Sequence, residues 1–413
     1  MSITAIRGFN DILPEDSWIW RHIETSAFET FSAYGFSEIK VPVVEKTELF
    51  KRSIGETTDI VEKEMYTFSD RRGDSLTLRP EGTAPVVRAY IEHKLYTAPV
   101  TRLYYTGPMF RYERPQKGRY RQFYQIGAEV LGEPSPGADA ETLSMLMRFF
   151  GKIELPGATL QINSLGCAEC RPGYKAVLIE YLHGVREALC ENCKRRMEAN
   201  PLRALDCKNP GCVEATKGAP SIIDSLCEGC AEHFAMVRAS LASYGIEPPV
   251  NPRMVRGLDY YTRTTFEITA EGLGSQNAVA AGGRYDRLVR ELGGPATPCF
   301  GFAIGIERVA LLIKERGMEA APLTVFIALG PEAQDKGVGV VAAWRDKGLR
   351  VAVDFSGGSL KSRMKRADRL GARYAAILGS DELAAGAVTV KDMRTASQET
   401  FTFATAADRL SLP

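Results

Sequence analysis

The sequence predicts an α+β protein: an antiparallel sheet flanked by helices, interrupted by a helical, cysteine-rich insertion and followed by a small α/β unit. Three observations lead there. Between residues 60 and 305 the strand patterns mostly follow one another through hairpins rather than helical crossovers, which gives antiparallel pairing. Eight of the nine cysteines crowd between Cys167 and Cys230, in a stretch without strand alternation. Near Ala320-Ala321-Pro322 the texture changes to short apolar runs (LTVFIALG, LRVAVDFSG, RYAAILG) separated by helical stretches such as SLKSRMKRADRLGA. A chain of 413 residues holds two or three cores of ordinary size. The expected division is a unit over 1–320, interrupted at about 167–245, and a second unit over 323–413.

In chain order, residues 15–34 place apolar side chains at helical spacing, with Gly35 positioned to end the helix. FSEIKVPVV reads as a strand with Pro42 at an edge or break. MYTFSDRRGDSLTL reads as a hairpin turning at Arg72-Gly73-Asp74. RPEGTAPVVRAYIEH reads as a loop entering a helix, with Thr83 as N-cap and Pro85 in the first turn, where its missing N–H costs nothing. TRLYYTGPMFRYE and RQFYQIGAEVLG are the next strands, joined by the basic loop Arg114 to Arg119, and a helix follows near Asp139 to Phe149. Beyond the insertion, MVRGLDYYTRTTFEIT reads as a strand. AAGGRYDRLVREL and CFGFAIGIERVALLIKERG each read as a strand or loop leading into a helix.

Composition excludes more than it assigns. The apolar content of 45% and charged content of 25% are those of a globular protein, and a net charge of +1 gives no bulk argument for a nucleic-acid partner. The N-terminal stretch has charges and a proline where a signal peptide needs an apolar run, and no apolar run reaches membrane-spanning length, so a cytoplasmic, membrane-free protein is expected. The only histidines are His22, His93, His183 and His233, which starves a Ser-His-Asp or Cys-His mechanism of bases. There is no G-x-x-x-x-G-K-[ST] loop. The glycine-rich run at 337–342 lies on a helix start rather than on a tight strand-to-helix turn.

The chemistry concentrates in FRYERPQKGRYRQFYQIGAEVLG, residues 110–132. Strand alternation puts Phe123, Gln125, Gly127 and Glu129 on one face and Tyr124, Ile126, Ala128 and Val130 on the core face. On the first, Gly127 is expected to leave an open slot between an amide and a carboxylate. A solvent-facing polar strand would explain the alternation but neither the glycine nor the cations upstream. Arg111, Arg114, Lys117, Arg119 and Arg121 suit phosphate oxygens, and Phe123 suits a stacked base. Two further clusters converge on this reading: Arg79-Pro80-Glu81-Gly82-Thr83 at a helix N-terminus, and Arg256, Asp259, Tyr260, Tyr261, Arg263 and Glu267 on what reads as a strand.

Together these stretches resemble the histidyl-tRNA synthetase family of class II synthetases. The helix followed by FSEIKVPVV is similar to the first class motif at the dimer interface, with Pro42 at its hallmark position. Residues 110–132 resemble the second, and GFAIGIER, ending in Arg308, the third. RGLDYYTRTTFEI and AGGRYD resemble signatures particular to the histidine enzyme, and the last unit its anticodon-binding domain. The resemblance implies a histidine–tRNA ligase, a homodimer that joins L-histidine to ATP and then to tRNA(His) with Mg²⁺. It also implies roles. Glu81, Thr83 and Gln125 hold the substrate amino group. Glu129 and Tyr261 read the imidazole, with Tyr260 beside them. Arg111 grips the α-phosphate and Glu113 the nucleotide. Phe123 stacks on adenine, Arg119 and Arg308 hold the γ-phosphate end, and Arg256 lies between carboxylate and α-phosphate. The loop from Arg114 to Gly118 meets the acceptor end, and a basic helix bearing Lys361, Arg363, Lys365, Arg366 and Arg369 meets the anticodon. The insertion helps embrace the acceptor arm. The alternative is a paralogue without ligase activity, the regulatory subunit of ATP phosphoribosyltransferase, which typically lacks the last unit and parts of the ATP motifs.

In the insertion, Cys167-x-x-Cys170, Cys190-x-x-Cys193, Cys207-x4-Cys212 and Cys227-x-x-Cys230 have spacings suited to tetrahedral zinc, with His233 nearby. Buried thiols packing as small hydrophobes are the other reading. If a structural Zn²⁺ is bound, Cys190, Cys193, Cys227 and Cys230 are the expected ligands.

Overall fold

The computed structural model describes residues 3–55, 58–198, 200–258, 260–273 and 277–411. The chain divides into two compact units, Met1–Arg316 and Gly317–Pro413.

In the first unit the strands are β1 (Ser37–Glu38), β2 (Val44–Lys46), β3 (Tyr66–Ser69), β4 (Ser75–Leu78), β5 (Thr101–Phe110), β6 (Gln122–Leu131), β7 (Thr159–Ser164), β8 (Thr262–Thr269), β9 (Ala278–Arg284) and β10 (Cys299–Gly305). Seven form one sheet in the order β1-β5-β6-β10-β9-β8-β7, and β2, β4 and β3 form a small one. Every pair in the large sheet is antiparallel except β1 with β5. The antiparallel expectation therefore holds.

The helix Pro14–Ala33 packs against both Pro136–Lys152 and Ile306–Glu315, and Phe31 and Phe149 from the helices meet Tyr104 and Phe302 from the sheet. Phe31 touches all three of the other rings at centroid separations of 5.7–5.8 Å and is fully buried. Ile126, Ala128 and Val130 of β6 are buried on the core face, as the alternation requires.

Several sequence expectations need correction. FSEIKVPVV forms two short pieces, β1 and β2, because the chain leaves the sheet across residues 39–43, where Pro42 has no N–H to offer a ladder. The segment before β8 is not strand, so Arg256, Tyr260 and Tyr261 sit on the loop leading into it; Asp259 lies outside the described residues. β7 was hidden between the preceding helix and the cysteines, although TLQINS alternates. Arg111 lies just past the end of β5, its N–H donating to the Arg121 carbonyl at 2.9 Å. Thr83 is the first helical residue rather than the N-cap of Thr83–Glu92.

The second unit holds β11 (Leu323–Ala328), β12 (Arg350–Val353), β13 (Tyr374–Leu378), β14 (Ala387–Asp392) and β15 (Gln398–Thr402), in the order β12-β11-β13-β14-β15. The first three are parallel through helical crossovers, as read from the sequence, and β14–β15 adds an antiparallel hairpin that the sequence reading missed. Its core gathers Trp344, Phe326, Tyr374 and Leu378.

Candidate functional site

On the other face of the large sheet lies a cavity of about 480 Å³. Its wall draws on segments far apart in sequence. Glu81 and Thr83 come from the turn into a helix, Arg111, Glu113 and Arg119 from the β5–β6 connection, and Phe123 and Gln125 from β6. Arg256, Tyr260 and Tyr261 come from the loop before β8, Glu267 from β8, and Arg308 from the helix after β10. Of the residues given a histidine- or ATP-binding role from the sequence, Glu129 is the one absent from that wall, and of the further cations singled out Arg79, Arg114, Lys117, Arg121 and Arg263 do not line it.

The helix start is organised by Glu81, not Thr83. The Glu81 carboxylate accepts from the backbone N–H groups of Thr83 (2.7 Å) and Ala84 (2.9 Å), satisfying two of the donors a helix leaves orphaned. That frees the Thr83 hydroxyl, which donates to Glu129 Oε1 at 2.7 Å, while the Tyr285 hydroxyl donates to Oε2 at 2.5 Å. Glu129 is fully buried, and burial pushes its carboxyl up to about 8 against the opposing pull of those two hydroxyls. Tyr285 belongs to AGGRYD but was not assigned a role from the sequence. The motif was the available signal.

Gly127 does not leave the open slot expected of it. Tyr105 is its cross-strand partner on β5, and the Tyr105 ring folds over the place where a side chain would stand; a Cβ on Gly127 would run into that ring. Gly301, opposite Glu129 on β10, has the matching purpose: a Cβ there would collide with the Glu129 carboxylate.

The cations are held rigidly. Arg111 lies 5.2 Å from the centre of the Phe123 ring and donates from Nε to the Pro80 carbonyl at 2.8 Å. Burial lowers the pKa of Arg111, Arg119 and Arg308, so each is a cation whose lost hydration an anionic ligand would replace. Arg119 pairs with Glu113, and Arg308 donates to the Ala278 carbonyl at 2.6 Å. Arg256 pairs with Glu267 at 2.9 Å through one nitrogen, and its Nε is buried without a hydrogen-bond partner among the described residues. Gln125 Oε1 is in the same condition. Two unsatisfied polar atoms on one cavity wall point to a polar ligand. Tyr260 and Tyr261 pack at a tilt with ring centroids 4.7 Å apart and planes at 47°, and Tyr260 meets Tyr285 edge-on at 5.6 Å. Asp206 and Lys208, from the insertion, also reach the wall, which the sequence reading did not foresee.

The cysteines do not group as expected. Cys190 and Cys193 gather with Cys207 and Cys212, and Cys227 and Cys230 with Cys167 and Cys170. The expected set of Cys190, Cys193, Cys227 and Cys230 is thus split between two clusters. His233 joins neither, being buried 3.8 Å from Asp139 and held neutral by burial, with a pKa lowered to about 4. In the second unit, two members of the basic helix are internally engaged: Arg363 is buried and donates to the Ala328 carbonyl at 2.6 Å, and Arg366 pairs with Asp354 at 2.8 Å. Lys361, Lys365 and Arg369 are exposed. No helix among the described residues is long and apolar enough to cross a membrane.

Comparison with known proteins gives consistent matches. The family model for histidyl-tRNA synthetase matches residues 8–171 and 182–309, and the model for an anticodon binding domain matches 324–411. A histidine–tRNA ligase of Trichlorobacter lovleyi is 58% identical over 400 residues, 97% of this chain and 96% of the relative. One of Geobacter sulfurreducens is 57% identical over 397 residues, 96% of each. Among solved structures, an apo histidyl-tRNA synthetase of S. aureus superposes with a TM-score of 0.75 at 36% identity over the whole of both chains. A Bacillus halodurans protein described as an ATP phosphoribosyltransferase regulatory subunit/histidyl-tRNA synthetase has a TM-score of 0.65 at 19% identity, covering 92% of this chain and 98% of its own, a likeness of fold.

Proposed function

This chain belongs to the histidyl-tRNA synthetase family, and from that premise we propose how its residues carry out histidine–tRNA ligation. The reaction is an attack of the histidine carboxylate on the α-phosphorus of ATP, forming the P–O bond of histidyl-adenylate as pyrophosphate leaves, followed by transfer of histidine to the 3′ end of tRNA(His). The nucleophile is already an anion, so no base is needed. The wall described above includes no histidine, cysteine or serine among its described residues. The work is to bring two anions together and neutralise charge as it develops.

The observation that carries the reading is the convergence of Arg111, Arg119, Arg256 and Arg308 on one cavity beside Glu81, Gln125 and two tyrosines. Arg111 takes the α-phosphate, with Phe123 under the adenine and Glu113 on the nucleotide. Arg119 and Arg308 take the γ-phosphate end. Arg256, with an unsatisfied Nε, is placed to bridge substrate carboxylate and α-phosphate. Glu81, Thr83 and Gln125 receive the ammonium group. Tyr261 and Glu129 read the ring, Glu129 from behind Thr83 and with Tyr260 alongside. A side chain without an N–H-bearing ring would leave the Tyr261 hydroxyl without that ligand partner. Mg²⁺ would be held by Glu113 and Glu267, oxygen donors of the kind it takes that here pair with Arg119 and Arg256, and would neutralise phosphate charge.

The proposal extends to a homodimer through the helix Pro14–Ala33 and the segment after it, which a monomeric mass by light scattering would contradict. It also extends to tRNA contacts at the loop from Arg114 to Gly118 and at Lys361, Lys365 and Arg369. The test is ATP–pyrophosphate exchange with each standard amino acid in turn, Mg²⁺ present. Exchange with histidine alone is expected, and charging of tRNA(His) with it. A folded protein that exchanges with none would favour the regulatory-subunit reading. The present arginines and second unit argue against that reading.

A further inference from the structure

The insertion contains two four-cysteine clusters, and we infer that each is a tetrathiolate site for one structural Zn²⁺ ion: Cys167, Cys170, Cys227 and Cys230 at the first, Cys190, Cys193, Cys207 and Cys212 at the second. All eight thiols are unpaired, and within each cluster every sulfur lies within 4.8 Å of the others.

The spacing fits a single tetrahedral ion. Four sulfurs at the Zn–S length of about 2.3 Å in a tetrahedron stand about 3.8 Å apart. In the first cluster Cys167–Cys227 and Cys167–Cys170 are separated by 3.7 Å and Cys170–Cys230 by 3.9 Å; in the second Cys190–Cys207 are separated by 3.9 Å. An iron–sulfur cluster, whose thiolates bind different irons, needs its sulfurs farther apart. The surroundings suit thiolates. The Cys167 N–H donates to Cys170 Sγ at 3.0 Å, the Glu169 N–H to Cys167 Sγ at 3.4 Å and the Cys190 N–H to Cys212 Sγ at 3.0 Å, the outer hydrogen bonds that hold metal-ligating sulfurs in place. Each cluster pairs two buried with two half-buried cysteines, so an ion placed there has no open coordination position and no catalytic use.

The first site also backs the histidine-reading loop. Arg263 adopts a left-handed conformation (φ 48°) at a register shift in β8, two residues after Tyr261. That irregular turn is clamped by two backbone bonds: Leu165 N–H to the Arg263 carbonyl (2.7 Å) and Arg263 N–H to the Gly166 carbonyl (2.8 Å). Arg171 donates to the Tyr261 carbonyl from the other side. Leu165, Gly166 and Arg171 bracket Cys167 and Cys170, so an ion at the first site fixes the segment that fixes Tyr261. The second site does the same for Cys207, whose two neighbours, Asp206 and Lys208, reach the cavity wall.

The test is elemental analysis of the full-length protein, reconstituted with excess zinc under reducing conditions and desalted. About two zinc ions per chain are expected, one for each tetrathiolate set. Cys227→Ser with Cys230→Ser is expected to leave one, as is Cys207→Ser with Cys212→Ser, and all four substitutions together none. Adding Cys167→Ser and Cys170→Ser to the first pair should remove no further ion. Zero or one zinc in the unaltered protein, iron in its place, or loss of all zinc from either double variant would overturn the assignment. Should the variants fail to fold, Co²⁺ titration of the unaltered apoprotein decides: two equivalents with the charge-transfer bands of tetrahedral thiolate coordination support it, and fewer refute it. The effect on Tyr261 rests on the proposed ligase activity, whereas the metal count does not. With the first ion gone, KM for histidine should rise about tenfold with KM for ATP little changed; an unchanged histidine KM would overturn the positioning role alone.

Discussion

The sheet face that carries the cavity and the cysteine-rich insertion are both built from short motifs scattered along the chain, yet their residues meet by different rules. On the sheet, register does the placing. Once Phe123, Gln125 and Glu129 alternate along β6 and β10 pairs beside it, side chains from segments some 180 residues apart share one face as a consequence of backbone hydrogen bonding. In the insertion, a C-x-x-C turn places two sulfurs and nothing more. Which half-site meets which depends on tertiary packing, as where Cys193 and Cys212 are buried in one core with Tyr174, Leu178, Leu182 and Ile222. Local sequence therefore identifies most of the sheet-borne wall of the first region and only half of each site in the second.

The largest effect that would break this contrast is at Arg256. Removing its guanidinium should lower single-turnover adenylate formation by about 10²-fold or more, as for other groups aimed at developing charge, while histidine binding stays measurable by calorimetry. Normal activation in Arg256→Ala would mean that the convergence of arginines is a surface accident and that the sheet face is no more legible than the insertion.

How far legibility goes is seen at individual positions. The alternation along β6 was readable because period two is intrinsic to a strand. The role of Gly127 was not, because what fills its place is a ring from another strand, and no local pattern states that Tyr105 lies opposite. Thr83 looked like an N-cap because its type favours caps; the carboxylate two residues earlier took that role and released the hydroxyl for Glu129. The loop before β8 looked like strand because aromatic and β-branched residues run through it, but the turn at Arg263 and its clamp to Leu165 are tertiary. The cysteine pairing failed for the same reason.

Metal removal sharpens the comparison next. Binding energy at a structural zinc site is largely folding energy, so a chelator should loosen residues 167–245 while the sheet persists. Limited proteolysis is expected to cut within that interval after chelation, with the β5–β6 hairpin protected in hydrogen exchange. Equal loss of protection in both regions would show that the insertion and the sheet unfold as one unit. At Gly127, adding a single methyl group should cost about 1–3 kcal/mol through displacement of a buried ring, read as a lower urea midpoint. A Gly127→Ala protein as stable as the parent would mean that the Tyr105 ring yields freely and the slot is open after all.

The smallest effect concerns a slope rather than a loss. Glu129 has a folded-state pKa of about 8, above its ordinary value of 4.5, because burial disfavours its charge. A group so raised contributes stability that is fully present below the unfolded pKa and is lost as pH rises through the folded one. Stability should therefore decline between about pH 4.5 and pH 8, a trend shared with Glu307 and Asp139, both raised to about 7 by the same cause. Glu129→Gln, which keeps the shape but cannot ionise, should make that decline shallower without abolishing it, as followed by urea midpoints across the range. An unaltered slope would mean that Glu129 is ionised in the folded state throughout. Its two hydroxyl partners would then outweigh its burial, and the sheet face would hold a permanent anion beneath the cavity where burial argues for a neutral acid.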